Sequence, residues 1–377
     1  MLPFVRMLEY GNLAPGAPKI KYMQGFSNGA YVLFENGELY GTGANAYGLL
    51  MVDSQVQLKK WKLLSTGVDY FWLCGYGALI KMQDGRWMYL GSQLVLGTGT
   101  GKHIALQDIS SSLSFVIYDS ANPSATKIQM NFDGMFYLHG TDLYGRGYNR
   151  FYSLGLGNTT AYSAFRPLAT GVKDFAAQDL TIGCMYVSTS NVYYYAGNDG
   201  STYLKNNTFG SIRTSPFNHV AFNCVKNGWQ VYTDGDIWAY GKNNYGAFGV
   251  SGNTNPLTTP TPVTNYAIIR TKNPRVSLTA GEFSSFILLD DGLYACGNNI
   301  LGSAGGAFEG SSTIYLPSVL PSNVTAQDIK YYSAASGTSL FCTEDTIYFC
   351  GLTEMLPGAS TASYSWVTIP NIFDNLL

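Results

Sequence analysis

A serine between two glycines is the first feature of this chain that could do chemistry. Gly25-Phe26-Ser27-Asn28-Gly29 fits the G-x-S-x-G formula, in which a serine at a sharp strand-to-helix turn becomes a nucleophile. That geometry needs a helix after the second glycine, whereas the apolar run Tyr31–Phe34 that follows is typical of a strand. We therefore interpret Ser27 as part of a turn.

A glycine-rich run further along the chain, residues 97–102, resembles a phosphate-binding loop. In such loops the backbone N–H groups hold phosphates, and a Ser or Thr after the lysine contacts Mg²⁺. Here Leu96 stands at the first glycine position, and His103 follows Lys102 at the Ser or Thr position. This spacing predicts a flexible connection between repeats and no nucleotide site.

The remaining reactive residue types are dispersed. The three histidines, His103, His139 and His219, lack metal-ligand spacing. Carboxylates are dispersed too. Many stand at turn positions, where Asp bonds the local backbone, and no pair suggests an acid and a base. No two of the cysteines form a CxxC pair; they are Cys74, Cys184, Cys224, Cys296, Cys342 and Cys350. The sequence therefore predicts no catalytic, metal or cofactor site and indicates a protein that is not an enzyme.

The composition indicates a β-rich protein with a surface made polar by hydroxyls and amides. Charged residues make up only 12% of the 377 residues, whereas Gly occurs 43 times and Tyr 29 times. The densest basic run, Lys59, Lys60 and Lys62, is too small for a nucleic-acid footprint. No signal peptide or membrane-length apolar run is seen. We expect no nucleic-acid partner, no membrane insertion and free thiols in a reducing cytoplasm.

The elements that must position any site come from a pattern repeated seven times. An apolar residue and an aromatic are followed, after two residues, by glycine. Successive glycines are 44 to 56 residues apart, the range of propeller blades. The glycines are Gly43, Gly91, Gly147, Gly197, Gly241, Gly297 and Gly351. The aromatics are Tyr40, Tyr144, Tyr194, Trp238, Tyr294 and Tyr348, and the weaker copy before Gly91 reads Trp87-Met88.

Each copy also carries a hairpin signal. Apolar runs lead into Asn36-Gly37, Asp84-Gly85, Asp234-Gly235 and Asp291-Gly292, which favour tight turns between antiparallel strands. In four copies Asn stands two residues after the repeat glycine, at Asn45, Asn149, Asn243 and Asn299. We find no long apolar stripe with a period of 3.6 residues, so helix should be scarce.

This pattern resembles the repeat of the regulator of chromosome condensation family, from about residue 20 to the C-terminus. The resemblance implies an all-β fold, a single closed seven-bladed β-propeller. Members of that family act as a nucleotide exchange factor for Ran, as ubiquitin-ligase modules, as a plant ultraviolet photoreceptor and as a bacterial β-lactamase inhibitor. The features on which those functions depend, such as a basic tail or a dense tryptophan cluster, are not found in this sequence.

The two ends of the sequence look like complementary parts of one blade. The last repeat runs on to residues 367–373, and residues 20–25 resemble what is missing from it. We therefore expect residues 19–377 to form a propeller closed by pairing of the N- and C-terminal segments, since closure removes exposed sheet edges. Residues 1–18 should form an N-terminal extension that docks the protein.

The aromatics divide into two groups. Those of the repeat recur at one structural position, so we expect them to pack inside or between blades. Aromatics outside the repeat are better interface candidates, because Tyr and Phe on loops give large contact areas. They are Tyr148, Phe151, Tyr152, Tyr162, Phe209 and Phe217.

Three functions remain open at the level of sequence. Composition and the lack of targeting signals favour a structural or adhesive component of a virus particle, such as a bacteriophage tail, neck or head-surface protein. Its partners would be other virion proteins or a host-surface receptor, within an oligomeric assembly. The alternative is a cytoplasmic regulatory propeller of the exchange-factor or inhibitor kind, which binds one soluble partner. A carbohydrate-binding or hydrolytic propeller is the third hypothesis.

Overall fold

The described part of the chain folds into seven antiparallel sheets, each built from strands that follow one another in sequence. The computed structural model describes residues 18–26, 29–52, 57–123, 126–177, 181–198, 205–225, 228–251, 255–264, 284–300, 302–335, 338–351 and 363–369. Within this part six sheets have four strands and the sixth blade has three. The all-β seven-bladed propeller expected from the repeats is therefore confirmed.

Each blade is an up-and-down meander. Blades 1 to 3 contain β1 Ile20–Phe26, β2 Gly29–Phe34, β3 Leu39–Gly43, β4 Leu58–Ser65, β5 Val68–Cys74, β6 Gly77–Met82, β7 Trp87–Ser92, β8 Lys102–Asp108, β9 Ile128–Asn131, β10 Gly134–His139, β11 Asp142–Gly147 and β12 Tyr162–Ala169. Blades 4 and 5 contain β13 Val172–Ala176, β14 Cys184–Ser188, β15 Val192–Asn198, β16 Lys205–Thr214, β17 His219–Val225, β18 Gly228–Thr233, β19 Ile237–Gly241 and β20 Leu257–Pro262. Blades 6 and 7 contain β21 Ser284–Leu289, β22 Gly292–Asn298, β23 Ser311–Pro317, β24 Tyr331–Ala335, β25 Thr338–Cys342, β26 Ile347–Gly351 and β27 Ser363–Thr368.

Helix is as scarce as the sequence predicts. The one α-helix in the described part of the chain is α1, Gln93–Leu96, between β7 and β8. Short 3-10 turns lie at Ser110–Leu113, Asn244–Gly246 and Ala326–Asp328. The hairpins predicted at the Asn-Gly and Asp-Gly turns are present, as β2–β3, β6–β7, β18–β19 and β21–β22.

The first strand of each blade lies toward the axis of the ring. β1 contacts β5 on one side and β24 on the other, and β5 in turn contacts β9. An apolar cluster fills each junction between neighbouring blades. The cluster between the last blade and the first joins Val32 and Trp61 to Leu340 and Phe349, so the ring is closed.

The predicted origin of the closing blade needs correction. β1, which the sequence assigns to the last blade, pairs with β2 in the first. The last blade already has four strands, because β27 pairs with β26. β1 and β2 are separated by two residues, so this pairing closes a far shorter loop than a pairing with the C-terminal end. Among the described strands the ring thus closes by packing of complete blades. Residues 1–17 lie outside the described residues, and the division into 1–18 and 19–377 stays a prediction.

The meander gives the disc two rims with different connections. The hairpin rim is formed by the turns between the second and third strands, such as residues 35–38 and 83–86. The loop rim is formed by the turns after the first strands and the longer loops after the third strands, such as residues 75–76 and 44–52. The loop that follows each repeat glycine therefore lies on the loop rim.

Candidate functional site

The seven repeat glycines share one backbone conformation. All have positive φ, from 100° at Gly241 to 149° at Gly197. Residues that carry a side chain rarely adopt such φ values. In addition, a Cβ on Gly147 would lie 2.2 Å from the carbonyl oxygen of Asp133. Glycine therefore lets the third strand turn into the loop rim, which explains why it recurs in every blade.

The repeat aromatics are less uniform. Tyr40, Trp238 and Tyr348 are buried, as is Met88 in the weaker copy. Tyr144, Tyr194 and Tyr294 are only half-buried. Trp238 packs edge-on against Tyr193 of blade 4 at 4.9 Å, so this position does contribute to inter-blade contacts.

The asparagines after the glycine shape the loop rim. Asn45 Nδ2 donates to the carbonyl of Val52 at 2.7 Å, and the Leu50 N–H donates to Asn45 Oδ1 at 2.8 Å. Asn149 repeats this arrangement with Asn158 and Leu154. Asn299 does so with Phe308 and Ala304, and Asn243 accepts from Phe248 N–H. All four are buried, so each asparagine holds its loop from within.

The same loop presents an aromatic side chain four residues after the repeat glycine. The position holds Tyr47 in blade 1, Phe151 in blade 3 and Tyr245 in blade 5. Tyr47 and Phe151 are half-buried, whereas Tyr245 is exposed, with 50% of its surface accessible to solvent. An aromatic at a fixed place on a rigid loop is suited to binding, since little entropy is lost when a partner packs on it.

Two of these rings, Tyr47 and Phe151, form a continuous row with two others, Tyr76 and Phe132. We call the row Tyr47, Tyr76, Phe132 and Phe151 the aromatic arc. The centroids of Tyr47 and Tyr76 are 4.5 Å apart, those of Tyr76 and Phe132 5.4 Å, and those of Phe132 and Phe151 5.4 Å. The arc crosses blades 1, 2 and 3 on the loop rim, and all four rings are half-buried. Part of each ring is therefore open at the rim.

An arginine stands over one end of the aromatic arc. The guanidinium of Arg150 is exposed and lies 4.7 Å from the Phe151 ring, 5.3 Å from Phe132 and 5.8 Å from Tyr148. Such cation–π contacts hold the guanidinium in place while its edge stays open to solvent.

Asp133 fixes the backbone beneath this arginine. Its fully buried carboxylate accepts from the N–H groups of Arg150 and Phe151, both at 3.2 Å, and from Ser153 Oγ at 3.1 Å. Burial raises the pKa of Asp133, against the opposing effect of these hydrogen bonds. Asp133 therefore positions the loop and does not face solvent.

Tyr152 adopts a conformation that other blades reserve for glycine. Its φ is 58°, at the loop position that holds Gly48, Gly246 and Gly302 elsewhere. A non-glycine residue in this region costs on the order of 1–2 kcal/mol. The blade-3 loop thus carries local strain beside the aromatic arc, as binding sites often do.

The six interface candidates predicted from the sequence do not all lie on one surface. Tyr148 and Phe151 lie at the aromatic arc, and Tyr162 lies nearby, bonded to Asn158. Phe209 packs on Tyr186 at 4.9 Å, a contact that belongs to the apolar junction of blades 3 and 4. Phe217, 39% exposed, precedes β17 on the hairpin rim, far from the others. The structure thus brings together Tyr148, Phe151 and Tyr152 out of the six.

Two stretches of the sequence resemble motifs with a chemical function, the turn at Ser27 and the glycine-rich run at residues 97–102. Ser27 lies outside the described residues. Helix α1 ends before the glycine-rich run, and Gly97 is its C-cap, so no helix N-terminus faces residues 97–102 as phosphate binding requires. Within the described part of the chain no three His, Cys, Asp or Glu residues group as metal ligands, and no helix is long and apolar enough to cross a membrane.

Several solved structures have a fold similar to that of this chain. Yeast Prp20p superposes with a TM-score of 0.67 at 17% identity, covering 90% of this chain and 87% of Prp20p. Human WBSCR16 superposes with a TM-score of 0.64 at 14% identity, covering 87% of each chain. Prp20, the yeast RCC1, is also similar in its complex with Kap60, with a TM-score of 0.67, 14% identity and coverage of 98% and 91%.

The chain has an RCC1-like propeller fold. The fold implied by the sequence resemblance is thereby confirmed, and at these identities the similarity concerns the fold alone. The sequence matches no family model and no curated protein. Prp20p has been characterised for its binding to Gsp1p and histones.

Sequence reasoning missed three members of the aromatic arc and the arginine above it. Tyr47 could have been found from the motif, because it occupies the same loop position as Phe151. Tyr76 and Phe132 lie in turns of unlike sequence, and only the packing of neighbouring blades joins their rings. Arg150 carried no signal of its own.

Proposed function

We propose that this chain is a non-enzymatic protein-binding propeller whose partner docks on the loop rim. The observation that carries the proposal is the aromatic arc, a row of four half-buried rings across three blades with an exposed arginine at one end. Tyr, Phe and Arg are the side chains most enriched at the centres of protein interfaces.

The RCC1-like fold supports this proposal over the alternatives. Prp20p, which has the same fold, binds proteins such as Gsp1p and Kap60. Of the three functions left open by the sequence, we therefore propose the regulatory propeller that binds a protein partner. The hypothesis of a virus-particle component rests on composition and on the lack of targeting signals in the sequence, and the similar solved structures give it no support.

A comparison of matched variants of the two rims tests the proposal. Arg150→Ala/Phe151→Ala removes one arginine and one phenylalanine from the loop rim. Arg86→Ala/Phe217→Ala removes the same residue types from the hairpin rim, where Arg86 is exposed. Wild type and both variants, checked for equal thermal unfolding, are immobilised, and proteins bound from an extract of the source cells are quantified by mass spectrometry.

We expect wild type and the hairpin-rim variant to retain the same specific proteins and the loop-rim variant to lose them. Equal recovery by all three proteins, or loss only from the hairpin-rim variant, would contradict the proposed binding surface.

A further inference from the structure

We infer that the aromatic arc binds an extended, acidic segment of its protein partner, with Arg150 as the anchor for a carboxylate. This inference rests on the proposed function and adds the chemistry of the partner.

Asp133 attracts the charge of Arg150, but it does not pair directly with the guanidinium. Among the described residues no carboxylate lies within ion-pair distance of the Arg150 guanidinium. The nearby Asp133 is fully buried, and its oxygens already accept two backbone N–H groups and a hydroxyl. Arg150 therefore presents its hydrogen-bond donors to solvent, where a carboxylate can bind them with two hydrogen bonds.

A second cation lies at the other end of the arc. Lys102, at the start of β8, reaches to 3.4 Å from the carbonyl of Ala46, the residue before Tyr47. Its side chain is only partly buried. The arc is thus bounded by Lys102 at the blade-1 end and by Arg150 at the blade-3 end, which is complementary to a segment with separated negative charges.

The length of the arc suits a short extended peptide. Its three ring-to-ring distances are 4.5, 5.4 and 5.4 Å. An extended chain rises by about 3.3 Å per residue, so roughly five residues span the row. Apolar or aromatic side chains of such a segment would pack on the rings, while acidic side chains reach the two cations.

The geometry favours a peptide over a single-stranded nucleic acid, which also stacks on aromatic rows. Nucleic-acid binding needs a groove of cations that follows the phosphates. The described residues place one cation at each end of the arc. A peptide needs no continuous positive track, and two separated charges set its direction.

The test uses an array of seven-residue peptides in matched pairs. One member of each pair has Asp or Glu at two positions separated by two or three residues. Its twin has Asn or Gln at the same positions, and the other positions sample Tyr, Phe, Leu, Pro, Ser and Gly. Fluorescently labelled wild type, Arg150→Gln and Arg86→Gln proteins are applied at low and high salt, and the best pairs are measured in solution by fluorescence polarisation. A labelled oligo-dT strand is measured in parallel.

We expect wild type to bind acidic peptides at least about tenfold more tightly than their amide twins, a difference that shrinks at high salt. Arg150→Gln should lose most of this preference and keep only the smaller part that Lys102 supplies, and Arg86→Gln should behave as wild type. Equal binding of twins by wild type, insensitivity to Arg150→Gln, or tighter Arg150-dependent binding of oligo-dT would overturn the inference.

The two proposals fail in different ways. If acidic peptides show no preference while capture from the extract still depends on Arg150 and Phe151, the chemistry of the partner is wrong and the loop-rim function stands. If the loop-rim variant also recovers the same proteins from the extract as wild type, the proposed function itself is wrong.

Discussion

Gln24 and Leu73 are joined by two hydrogen bonds across the junction of blades 1 and 2. Gln24 Nε2 donates to the Leu73 carbonyl at 2.8 Å, and the Leu73 N–H donates to Gln24 Oε1 at 3.2 Å. Gln129 holds the equivalent position in blade 3 and accepts from Ala177 N–H of blade 4 at 2.7 Å. At the closing junction Ser333 accepts from Gly25 N–H at 3.0 Å. Side chains at one strand position thus fasten neighbouring blades near the axis.

Replacing Gln24 by leucine should weaken the first of these junctions. The change leaves a partly buried N–H and carbonyl of Leu73 without their side-chain partner, at a cost of about 1–3 kcal/mol. Gln107→Leu is the matched control, because Gln107 is exposed on β8. Urea unfolding followed by tryptophan fluorescence measures both. Equal stabilities for the two variants would show that the Gln24 bonds contribute nothing.

The carboxylate of Asp174 should make stability depend on pH. It lies 2.7 Å from Lys127 Nζ of blade 3 and 3.1 Å from His219 Nε2 of blade 5. Burial acts to raise its pKa, but these partners outweigh burial, and the pKa is lowered below 3.8. Because the folded state favours the charged form, the stabilisation is present above the unfolded pKa near 4 and is lost as pH falls through the lower folded pKa.

Asp174→Asn should therefore destabilise the protein at neutral pH by about 2 kcal/mol, since it removes hydrogen bonds to a charged group. The difference from wild type should vanish in strongly acid solution. Thermal unfolding between pH 2.5 and 7, with the exposed Asp290→Asn as control, measures it. A deficit that stays constant with pH would mean that charge at Asp174 is not its cause.

The six cysteines should be unreactive in the folded protein. All six are buried. Burial raises the pKa of Cys296 and that of Cys342 to about 12, so neither is a thiolate near neutral pH. We expect a thiol-specific chromogenic reagent at pH 8 to modify no cysteine within minutes in buffer and all six in urea. Rapid labelling of one native thiol would mark a locally open blade.

Substitutions at Tyr152 and at Gly302, which occupies the same loop position in blade 6, should change stability by different amounts. Tyr152→Gly relieves a φ of 58° but makes the unfolded chain more flexible, so stability should change by less than about 1 kcal/mol. Gly302→Ala should be clearly destabilising, because Gly302 has a φ of 81° and its Cβ would lie 2.5 Å from the Ser363 carbonyl. Chemical denaturation compares them. A large loss in Tyr152→Gly would mean that the Tyr152 side chain, not its backbone, holds the loop.

The parts of this molecule that the sequence could predict are those that depend on local backbone needs. Gly43 and Gly297 marked their blades because a positive φ is required within a few residues of each. Asn45 was visible for the same reason, since its bonds reach only to residues 50 and 52. The pairing of β1 was predicted wrongly, because a degenerate repeat does not show where one blade ends and the next begins.

The candidate site was harder to predict because its members meet only in three dimensions. Asp133 was not singled out from the sequence, and its role appears only when Arg150 and Phe151 fold over it. Tyr76 and Phe132 come from different blades, and no spacing in the sequence relates them. Packing between blades decides such contacts, and a single sequence does not contain that information in a local pattern.

Every described blade consists of strands that are consecutive in the chain, so the strand pairing of each blade can form independently of the others. During synthesis each sheet can be completed as soon as its last strand emerges, without waiting for a segment from the far end. Among the described strands, the contacts between the first and last blades, such as that of β1 with β24, must wait until the chain is nearly finished. In the gene, duplication or loss of one repeat would add or remove a whole sheet and leave the strand pairing of all the others unchanged.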